Sequence, residues 1–489
     1  MKLNNLISQL VGYKLFNDSN PSISGIEMDS RKVEEGNLFV CVKGERFDGH
    51  LFVDDVVKRG AVAIVAEREI KTSVPVILVK DTRRVLSVLS DRFFKSPTRQ
   101  LQLIGITGTN GKTTTSHIID RMLQDQHRRT GIIGTIEMRI NNVPYPVSNT
   151  TPESPVLQKA FARMVEEKVE TAVMEVSSHA LHMGRVRGCD YNTAVFTNLS
   201  QDHLDYHETM EEYLQAKGLL FSQLGNTYDN ESVKLAILNH DDPASEKFKK
   251  MTAAQVLTYS IDKPSDIRAN NINITGQGTE FELQTLKGTY QVKMKLIGKF
   301  SVYNVLASIA AGIASGLEEQ KMIETIEQLE GVPGRFEVVH EGQPYTVIVD
   351  YAHTPDSLKN VLQTVQEFAI GKIYVVVGCG GDRDRSKRPQ MAQIAVDYSD
   401  QAIFTSDNPR TEDPQQIIYD MENGISGNSY ESIIDRKEAI EYVIQKAAED
   451  DIIVIAGKGH ETYQIIGEDT IDFDDRIVAS NAIVNKEGN

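Results

Sequence analysis

A glycine-rich stretch at residues 105–115 has the clearest chemistry of this 489-residue chain. It reads G-I-T-G-T-N-G-K-T-T-T and lies between an apolar run at 101–106 and a segment with helical periodicity. Glycines let backbone N–H groups surround phosphate oxygens, a following helix N-terminus adds positive partial charge, and Lys112 can reach a β- or γ-phosphate. Ile106 stands where the pattern G-x-x-x-x-G-K-[ST] has its first glycine, so this is the variant T-G-T-N-G-K-T. The stretch predicts a nucleoside triphosphate as substrate, and an incidental glycine turn is the weaker alternative.

A second group of candidate residues follows the next apolar run. Residues 171–174 predict a strand that ends at Glu175, and a carboxylate there, beside a phosphate loop, is suited to bind Mg²⁺. A solvent-facing glutamate is the alternative. Segment 197–207 has two acids and two histidines within its last six residues, which allows a metal site, a base or a polar loop. His203 and His207 have the i,i+4 spacing of zinc ligands without the glutamate of H-E-x-x-H, so zinc is disfavoured.

Composition indicates a multidomain protein of the cytoplasm. A chain of 489 residues is too long for one hydrophobic core and predicts about three domains. The net charge of −17 disfavours nucleic acid and anionic membrane as partners. Cys41, Cys189 and Cys379 are widely spaced, so neither a disulfide framework nor a zinc cluster is predicted. The N-terminus lacks the apolar core of a signal peptide and no run is long enough to span a bilayer, so neither secretion nor membrane insertion is expected.

The order of apolar and helical segments predicts an α/β architecture. Buried strands that alternate with helices are predicted at 171–174, 235–238, 346–349, 373–377 and 452–455. The N-terminal part differs, with shorter strands predicted at 37–42, 61–65 and 76–79. Domain boundaries are expected near Ser96-Pro97 and within residues 331–334, where two glycines and a proline follow a helical pattern.

Several further motifs, taken in their order, resemble those of the Mur ligase family, the amide-forming enzymes of bacterial cell-wall synthesis. Besides T-G-T-N-G-K-T they are D-S-R-K-V at 29–33, N-T-T-P at 149–152, E-V-S-S-H at 175–179, T-N-L at 197–199 with D-H-L-D at 202–205, G-R at 334–335, D-Y-A-H-T-P at 350–355, G-C-G-G-D-R-D at 378–384, D-N-P-R at 407–410 and G-K-G-H-E at 457–461. The resemblance covers nearly the whole chain. It implies a small N-terminal α/β domain that binds UDP-MurNAc (1–98), a central ATP-binding domain of the P-loop type with a mostly parallel sheet (99–333), and a C-terminal Rossmann-like domain that binds an amino acid (334–489).

Within the family, the chain is most similar to the ligases that add the third residue to the UDP-MurNAc peptide. The resemblance implies that ATP phosphorylates the D-glutamate side-chain carboxylate of UDP-MurNAc-L-Ala-D-Glu, and that the amine of meso-diaminopimelate displaces phosphate from the acyl phosphate. A monomer that uses these small molecules and Mg²⁺ is expected. The alternatives are an L-lysine-adding ligase, a folylpolyglutamate synthase and a nucleotide-dependent switch. A dinucleotide-binding oxidoreductase is disfavoured, because 378–381 does not match G-x-G-x-x-G.

The resemblance also implies where ATP and Mg²⁺ bind. ATP contacts are expected from Gly108, Thr109, Asn110, Gly111, Lys112, Thr113, Thr114, Asn304, Arg335 and Asp350. Mg²⁺ is expected at Thr113 and Glu175, and at His203 with Lys217. In the family this lysine reacts with CO₂ to form a carbamate, whose oxygens can bind Mg²⁺ where an ammonium cannot. Lys112, Glu175, His203 and Lys217 are thus the expected catalytic residues, although without the resemblance Lys217 would be interpreted as a surface lysine.

Two further sets of residues follow from the resemblance. The UDP-MurNAc-peptide is expected to contact Ser30, Glu45, Arg46, Phe47, Asn149, Thr150, Thr151, Ser177, Met183 and Arg185. Met183 departs from the family pattern, because some relatives have glutamine there. Diaminopimelate is expected to contact Arg383, Asp407, Asn408, Pro409, Arg410, Gly457 and Glu461. Arg410 is suited to the second carboxylate, which L-lysine lacks, and Glu461 to the distal ammonium; an exposed turn arginine is the alternative for Arg410.

Overall fold

The computed structural model describes residues 1–44, 47–147, 149–225, 233–423, 425 and 429–488. Strands from three consecutive parts of the chain form three separate main sheets, each covered by helices. This is the α/β class that the sequence predicts. None of the described helices combines the length and the apolar character that crossing a bilayer would need.

The N-terminal sheet has the strand order β1-β5-β4-β3-β2, in which only β1 is antiparallel to its neighbour. Its elements are α1 (Leu3–Ile7), β1 (Lys14–Phe16), β2 (Gly25–Glu27), β3 (Asn37–Val40), α2 (Val53–Lys58), β4 (Ala63–Ala66), β5 (Val76–Leu78) and α3 (Thr82–Phe93). Strand β3 ends at Val40, two residues earlier than its apolar run suggests, because the backbone N–H of Val42 turns back to the Val40 carbonyl.

The central sheet has the strand order β16-β15-β14-β13-β12-β11-β6-β10-β7-β8-β9. The strands are β6 (Gln102–Thr107), β7 (Thr130–Ile133), β8 (Met138–Ile140), β9 (Val143–Tyr145), β10 (Thr171–Glu175), β11 (Thr193–Phe196), β12 (Leu235–Asn239), β13 (Gln255–Ser260), β14 (Ile267–Thr275), β15 (Gly278–Gln284) and β16 (Thr289–Met294). The helices are α4 (Lys112–Asp125), α5 (Ser154–Glu166), α6 (Ser178–His182), α7 (Leu204–His207), α8 (Met210–Ser222), α9 (Ala244–Met251), α10 (Lys299–Ala314) and α11 (Glu319–Gln328). The strands from β14 to β7 in this order are parallel, and both margins are antiparallel.

The C-terminal sheet has the strand order β17-β18-β22-β19-β20-β21 and is parallel except for β17. The strands are β17 (Glu337–Val339), β18 (Thr346–Asp350), β19 (Ile373–Val377), β20 (Gln401–Phe404), β21 (Tyr430–Ser432) and β22 (Ile452–Ala456), followed by the hairpin β23 (Tyr463–Ile466) and β24 (Asp469–Asp472). The helices are α12 (Pro355–Gln366), α13 (Lys387–Tyr398), α14 (Pro414–Glu422), α15 (Arg436–Lys446) and α16 (Asp475–Glu487). A parallel sheet with helices on both faces agrees with the predicted Rossmann-like class.

Burial explains why the central strands are nearly continuous apolar runs. Two separate apolar cores line the two faces of the central sheet, one beneath α4, α10 and α11 and the other beneath α5, α8 and α9. The C-terminal sheet likewise has a core on each face. Strands that are buried on both faces have no polar alternation.

Polar residues occur where these strands end. Pairing in β10 and β18 extends one residue beyond the predicted apolar runs, to Glu175 and Asp350. The carboxyl ends of parallel strands meet at one edge of the sheet, and this edge is the usual position of a ligand site in such folds. The domain boundaries at 98/99 and 333/334 stay predictions.

Candidate active site

The T-G-T-N-G-K-T stretch at 107–113, which we call the phosphate loop, connects β6 to α4, as predicted. A Cβ at Gly108 would lie 1.8 Å from Thr197 Oγ1, and a Cβ at Gly111, where φ is +83°, would lie 2.3 Å from Asn304 Oδ1. Neither position can carry a side chain without displacing its neighbour. The glycines are therefore required by how closely the loop approaches the elements around it.

The Lys112 side chain folds back onto the backbone of the phosphate loop. Its ammonium donates to the carbonyl oxygens of Gly108 at 3.0 Å and Thr109 at 2.8 Å. Desolvation in this position lowers the pKa of Lys112. The ammonium thus lies at the start of α4, where the helix N-terminus already favours an anion.

Glu175 lies at the centre of a buried hydrogen-bond network. Its side chain is fully buried at the end of β10. The Thr113 hydroxyl donates to Oε2 at 2.9 Å, the Thr135 hydroxyl to the same oxygen at 3.0 Å, and the Thr135 N–H to Oε1 at 2.8 Å. A carboxylate beside a threonine hydroxyl of the phosphate loop is the hard oxygen donor set that Mg²⁺ prefers, so these residues fit the ion. The alternative of a solvent-facing glutamate is wrong.

Arg335 reaches this network from the C-terminal part of the chain. Its Nη2 donates to Thr113 Oγ1 at 3.2 Å, and its guanidinium carbon lies 4.7 Å from the centre of the Tyr351 ring. Its Nε is buried and has no hydrogen-bond partner among the described residues. An arginine with an unused donor beside a phosphate loop fits an anion in the cleft.

Asp350 and Asn304 are, with Arg335, predicted ATP contacts that lie outside the phosphate loop. Asp350 Oδ2 accepts from the Phe336 N–H at 2.7 Å, and burial raises its pKa against the opposing effect of Arg335. Asn304 is buried within α10, and its Oδ1 accepts from the Thr115 hydroxyl at 3.5 Å. Asn304 is therefore a buried amide and not a solvent-facing one.

The remaining loop residues connect to the segment after β11 and to the C-terminal part. The Asn110 N–H donates to Asn198 Oδ1 at 2.9 Å, and Asn110 Nδ2 lies 3.4 Å from Asp356 Oδ2. The Thr109 hydroxyl lies 3.2 Å from the Tyr213 hydroxyl. Thr114 is half-buried on the first turn of α4.

Lys217 is buried, contrary to the surface lysine that its sequence neighbours alone suggest. It is 1% exposed in α8, and its Nζ donates to the Gly108 carbonyl at 2.8 Å. The ammonium also lies 4.3 Å from the centre of the Tyr213 ring. Burial, together with Lys112, lowers the pKa of Lys217 well below its usual value. Lys217 therefore contacts the phosphate loop from α8, in a buried environment that favours the neutral amine over the ammonium.

His203 lies near the same Tyr213 ring. The two ring centres are 6.0 Å apart, and His203 Nε2 lies 3.4 Å from Asp202 Oδ2. Partial burial lowers the pKa of His203 to about 4. A neutral imidazole is the form that binds a metal ion. In the described part of the chain, no three His, Cys, Asp or Glu side chains are grouped so that they could hold a metal ion by themselves.

Among the predicted peptide-binding residues, Thr151 contacts the backbone of Glu175. Thr151 Oγ1 donates to the Glu175 carbonyl at 2.9 Å and accepts from the Ser177 N–H at 3.0 Å. Arg185 Nη1 donates to the Thr151 carbonyl at 3.1 Å. The Thr150 hydroxyl lies 3.0 Å from that of Thr135. A residue predicted to bind ATP, Thr113, and a residue predicted to bind the peptide, Thr151, thus both contact Glu175.

One further residue predicted for the UDP-MurNAc-peptide, Met183, borders this network through Arg185. Met183 is half-buried, and its sulfur lies 3.4 Å from Arg185 Nη2. Asn149 is exposed, Ser30 is in a short 3₁₀ turn of the N-terminal part, and Phe47 is 71% exposed. Glu45 and Arg46 lie outside the described residues.

The predicted amino-acid site lies at the carboxyl edge of the C-terminal sheet. Asn408 Nδ2 donates to Glu461 Oε2 at 2.9 Å. A Cβ at Gly457 would lie 2.8 Å from Asp407 Oδ2, so the turn after β22 packs directly on this carboxylate. Arg410 has a φ of +52°, and its Nη1 donates to the Gly381 carbonyl at 2.7 Å. Arg410 is therefore a half-buried, positioned arginine rather than an exposed one.

Two predicted members of this site differ in exposure. Pro409 is buried, and Arg383 is exposed in the loop before α13. Buried Arg388 holds that loop through Glu412, to which it donates at 2.9 and 3.1 Å. These bonds lower the pKa of Glu412 to about 2.

Sequence reasoning missed some residues of both sites. Thr135 follows β7 and carries no motif, but it donates twice to Glu175. Lys458 is within the G-K-G-H-E motif at 457–461, and its ammonium contacts Glu461 and Asn408. Lys458 could have been identified from its position within the G-K-G-H-E motif.

Comparison with known proteins tests the family resemblance of the sequence. The sequence pattern of the Mur ligase middle domain matches residues 106–312, that of the Mur ligase glutamate ligase domain matches 334–459, and that of the Mur ligase family catalytic domain matches 22–94. This chain belongs to the Mur ligase family. It is 59% identical over the full length of both chains to UDP-N-acetylmuramoyl-L-alanyl-D-glutamate--2,6-diaminopimelate ligase of Bacillus cereus. It is 58% identical to the protein of that name from Geobacillus thermodenitrificans, over 99% of each chain.

A solved Mur ligase structure has the same architecture. It is the structure of a UDP-N-acetylmuramoyl-L-alanyl-D-glutamate--2,6-diaminopimelate ligase, with a TM-score of 0.68, 36% sequence identity and 95% of each chain covered. The three sheets and their helices are thus those of a Mur ligase.

Proposed function

We propose that this protein is an ATP-dependent ligase that joins meso-diaminopimelate to the D-glutamate side-chain carboxylate of UDP-MurNAc-L-Ala-D-Glu. The observation that carries the proposal is the convergence at Glu175. Its carboxylate accepts a hydrogen bond from Thr113 of the phosphate loop, and its backbone carbonyl accepts one from Thr151, which is predicted to bind the peptide. An enzyme that phosphorylates a carboxylate must bring these two substrates to one point.

The chemistry follows from the poor leaving group of a carboxylate. One oxygen of the D-glutamate carboxylate forms a bond to the γ-phosphorus of ATP as the bond to ADP breaks, which gives an acyl phosphate. The neutral amine of diaminopimelate then adds to the carbonyl carbon, loses a proton and expels phosphate. Both steps concentrate negative charge, so catalysis depends mainly on positioned positive charge. Lys112 and Arg335 supply part of it at the phosphate loop.

Mg²⁺ would supply the remaining charge at the phosphoryl oxygens. Thr113 and Glu175 are suited to hold one ion, and His203 with the carbamate of Lys217 a second. Burial of Lys217 against the Gly108 carbonyl supports the carbamate, because CO₂ reacts with the neutral amine. We expect a carbamate ¹³C resonance when the protein is incubated with ¹³C-bicarbonate, and its loss in Lys217→Met. The same resonance in that variant would contradict the assignment to Lys217.

The amino-acid preference follows from the C-terminal site. Diaminopimelate has a second carboxylate that L-lysine lacks, and Arg410 provides a guanidinium beside the Asn408–Glu461 pair. The relatives at 59% and 58% identity bear the name of diaminopimelate ligases. We propose that the enzyme acts as a monomer in the cytoplasm, where ATP is available.

Phosphate release tests the proposal. ATP, Mg²⁺ and UDP-MurNAc-L-Ala-D-Glu are supplied with meso-diaminopimelate, with L-lysine or with neither. We expect turnover only with diaminopimelate. Turnover only with L-lysine would keep the family and overturn the acceptor, whereas release that depends on neither amino acid would overturn the ligase function.

A further inference from the structure

Lys458 is fully buried in the turn that follows β22, although nothing in the proposed chemistry uses it. Its ammonium donates to Glu461 Oε2 at 2.9 Å and to Asn408 Oδ1 at 3.1 Å. A buried ammonium is rare unless it is paired. Both partners belong to the proposed diaminopimelate site, so this cation lies directly behind that site.

Lys458 fixes the orientation of the Asn408 amide. Asn408 Oδ1 accepts from Lys458 and also from the Ile465 N–H at 3.0 Å, while Nδ2 donates to Glu461 Oε2 at 2.9 Å. An ammonium and a backbone N–H are donors only. A flipped amide would therefore place its NH₂ group against two donors, and the observed orientation is the favourable one.

Lys458 also determines which oxygen of Glu461 is available. Oε2 accepts from both Lys458 and Asn408, whereas Oε1 has no hydrogen bond to the residues that the structure describes. The Tyr463 ring lies 5.5 Å from Lys458 Nζ. The Lys458 ammonium offsets the charge of the half-buried Glu461 carboxylate. Its Oε1 is then left for the ammonium of a ligand.

We propose that Lys458 is a positioning residue for the amino-acid substrate, which holds the Glu461 carboxylate and the Asn408 amide without touching the substrate itself. The inference rests on the proposed function, because it assigns a role within the diaminopimelate site. It predicts a specific defect in amino-acid binding rather than a general loss of activity.

Steady-state kinetics of four proteins test this role: the wild type, Lys458→Met, Glu461→Gln and the double variant. We expect Lys458→Met to raise KM for diaminopimelate about tenfold or more, because a charge-assisted hydrogen bond is lost, and to change KM for ATP by less than about twofold. In the Glu461→Gln background, Lys458→Met should raise KM for diaminopimelate by less than about threefold, because the hydrogen bonds of Lys458 and Asn408 converge on Glu461 Oε2. Lys437→Met, at a lysine of α15 that is 63% exposed, is the matched control and should behave as the wild type.

The possible outcomes separate this role from simple packing. Equal increases of KM for ATP and diaminopimelate, or full additivity with Glu461→Gln, would overturn the inference while the proposed function stands. A wild type without diaminopimelate-dependent phosphate release would overturn the proposed function and the inference with it. If Lys458→Met does not fold, the double variant takes its place, because it contains neither charge of the pair. Its KM for diaminopimelate is then compared with that of Glu461→Gln alone. A difference in KM for diaminopimelate above about threefold in that comparison would overturn the inference.

Discussion

Thr135→Val removes one hydrogen bond from Glu175 with little change in side-chain shape. The hydroxyl donates to Glu175 Oε2 at 3.0 Å, whereas the backbone N–H that donates to Oε1 remains. A hydrogen bond to a charged group contributes about 1.5–3 kcal/mol. If the whole contribution is lost in the transition state, kcat falls by about tenfold to about 150-fold, since about 1.4 kcal/mol corresponds to a factor of ten.

The assay is diaminopimelate-dependent phosphate release at saturating substrates, with thermal unfolding measured in parallel. The valine should bind ATP almost as the wild type does, because Lys112 and the loop amides are unchanged. Thr289→Val is the matched control, because Thr289 is exposed at the start of β16. An unchanged kcat in Thr135→Val would refute the reasoning that the Glu175 carboxylate must be held in this orientation.

Three further variants give independent predictions. Gly111→Ala should raise KM for ATP at least about tenfold, because its Cβ would lie 2.3 Å from Asn304 Oδ1 at a φ of +83°. Arg410→Ala should raise KM for diaminopimelate far more than KM for ATP, because Arg410 belongs to the proposed amino-acid site, where its Nη1 donates to the Gly381 carbonyl at 2.7 Å. Glu412→Gln should lower the free energy of unfolding at neutral pH, because buried Arg388 loses one of its two carboxylate partners and keeps only Asp420 at 2.8 Å. Arg388 lowers the pKa of Glu412 from 4.5 to about 2, so this stabilisation is present above pH 4.5 and disappears as the pH falls through 2.

Each of these variants has a control or a contradicting result. Gly316→Ala has a similar φ of +74° but nothing within 4 Å of the added Cβ, so ATP binding should be unchanged there. Equal effects of Arg410→Ala on both KM values would remove Arg410 from the amino-acid site. Denaturant titrations from pH 7 to pH 2 measure the difference between the wild type and Glu412→Gln, and a difference that does not shrink in acid would contradict the ion-pair explanation.

Much of the fold follows from local sequence, because buried parallel strands leave uninterrupted apolar runs. The runs at 373–377 and 452–455 coincide with β19 and most of β22. The polar last residues of β10 and β18 were harder to predict, since Glu175 and Asp350 pair with neighbouring strands despite being acidic. Backbone pairing does not depend on side-chain polarity, and only the neighbouring strand determines where it stops.

The site was predictable where the chemistry constrains adjacent residues and not where it depends on distant ones. Gly108 to Lys112 are identifiable because phosphate binding fixes their types and spacing. Lys217 could not be placed from its neighbours, because its partner is a carbonyl of the phosphate loop 109 residues away. Thr135 was missed for the same reason, since Glu175 lies 40 residues further along the chain.

The most direct test of the central claim follows one oxygen atom. UDP-MurNAc-L-Ala-D-Glu labelled with ¹⁸O in the D-glutamate side-chain carboxylate is converted with ATP and meso-diaminopimelate, and the released phosphate is analysed by mass spectrometry. If the carboxylate is phosphorylated at the Glu175 junction, one labelled oxygen per turnover appears in phosphate and the other stays in the amide product. Phosphate without label would show that ATP cleavage and amide formation do not share an acyl phosphate, and would contradict the account.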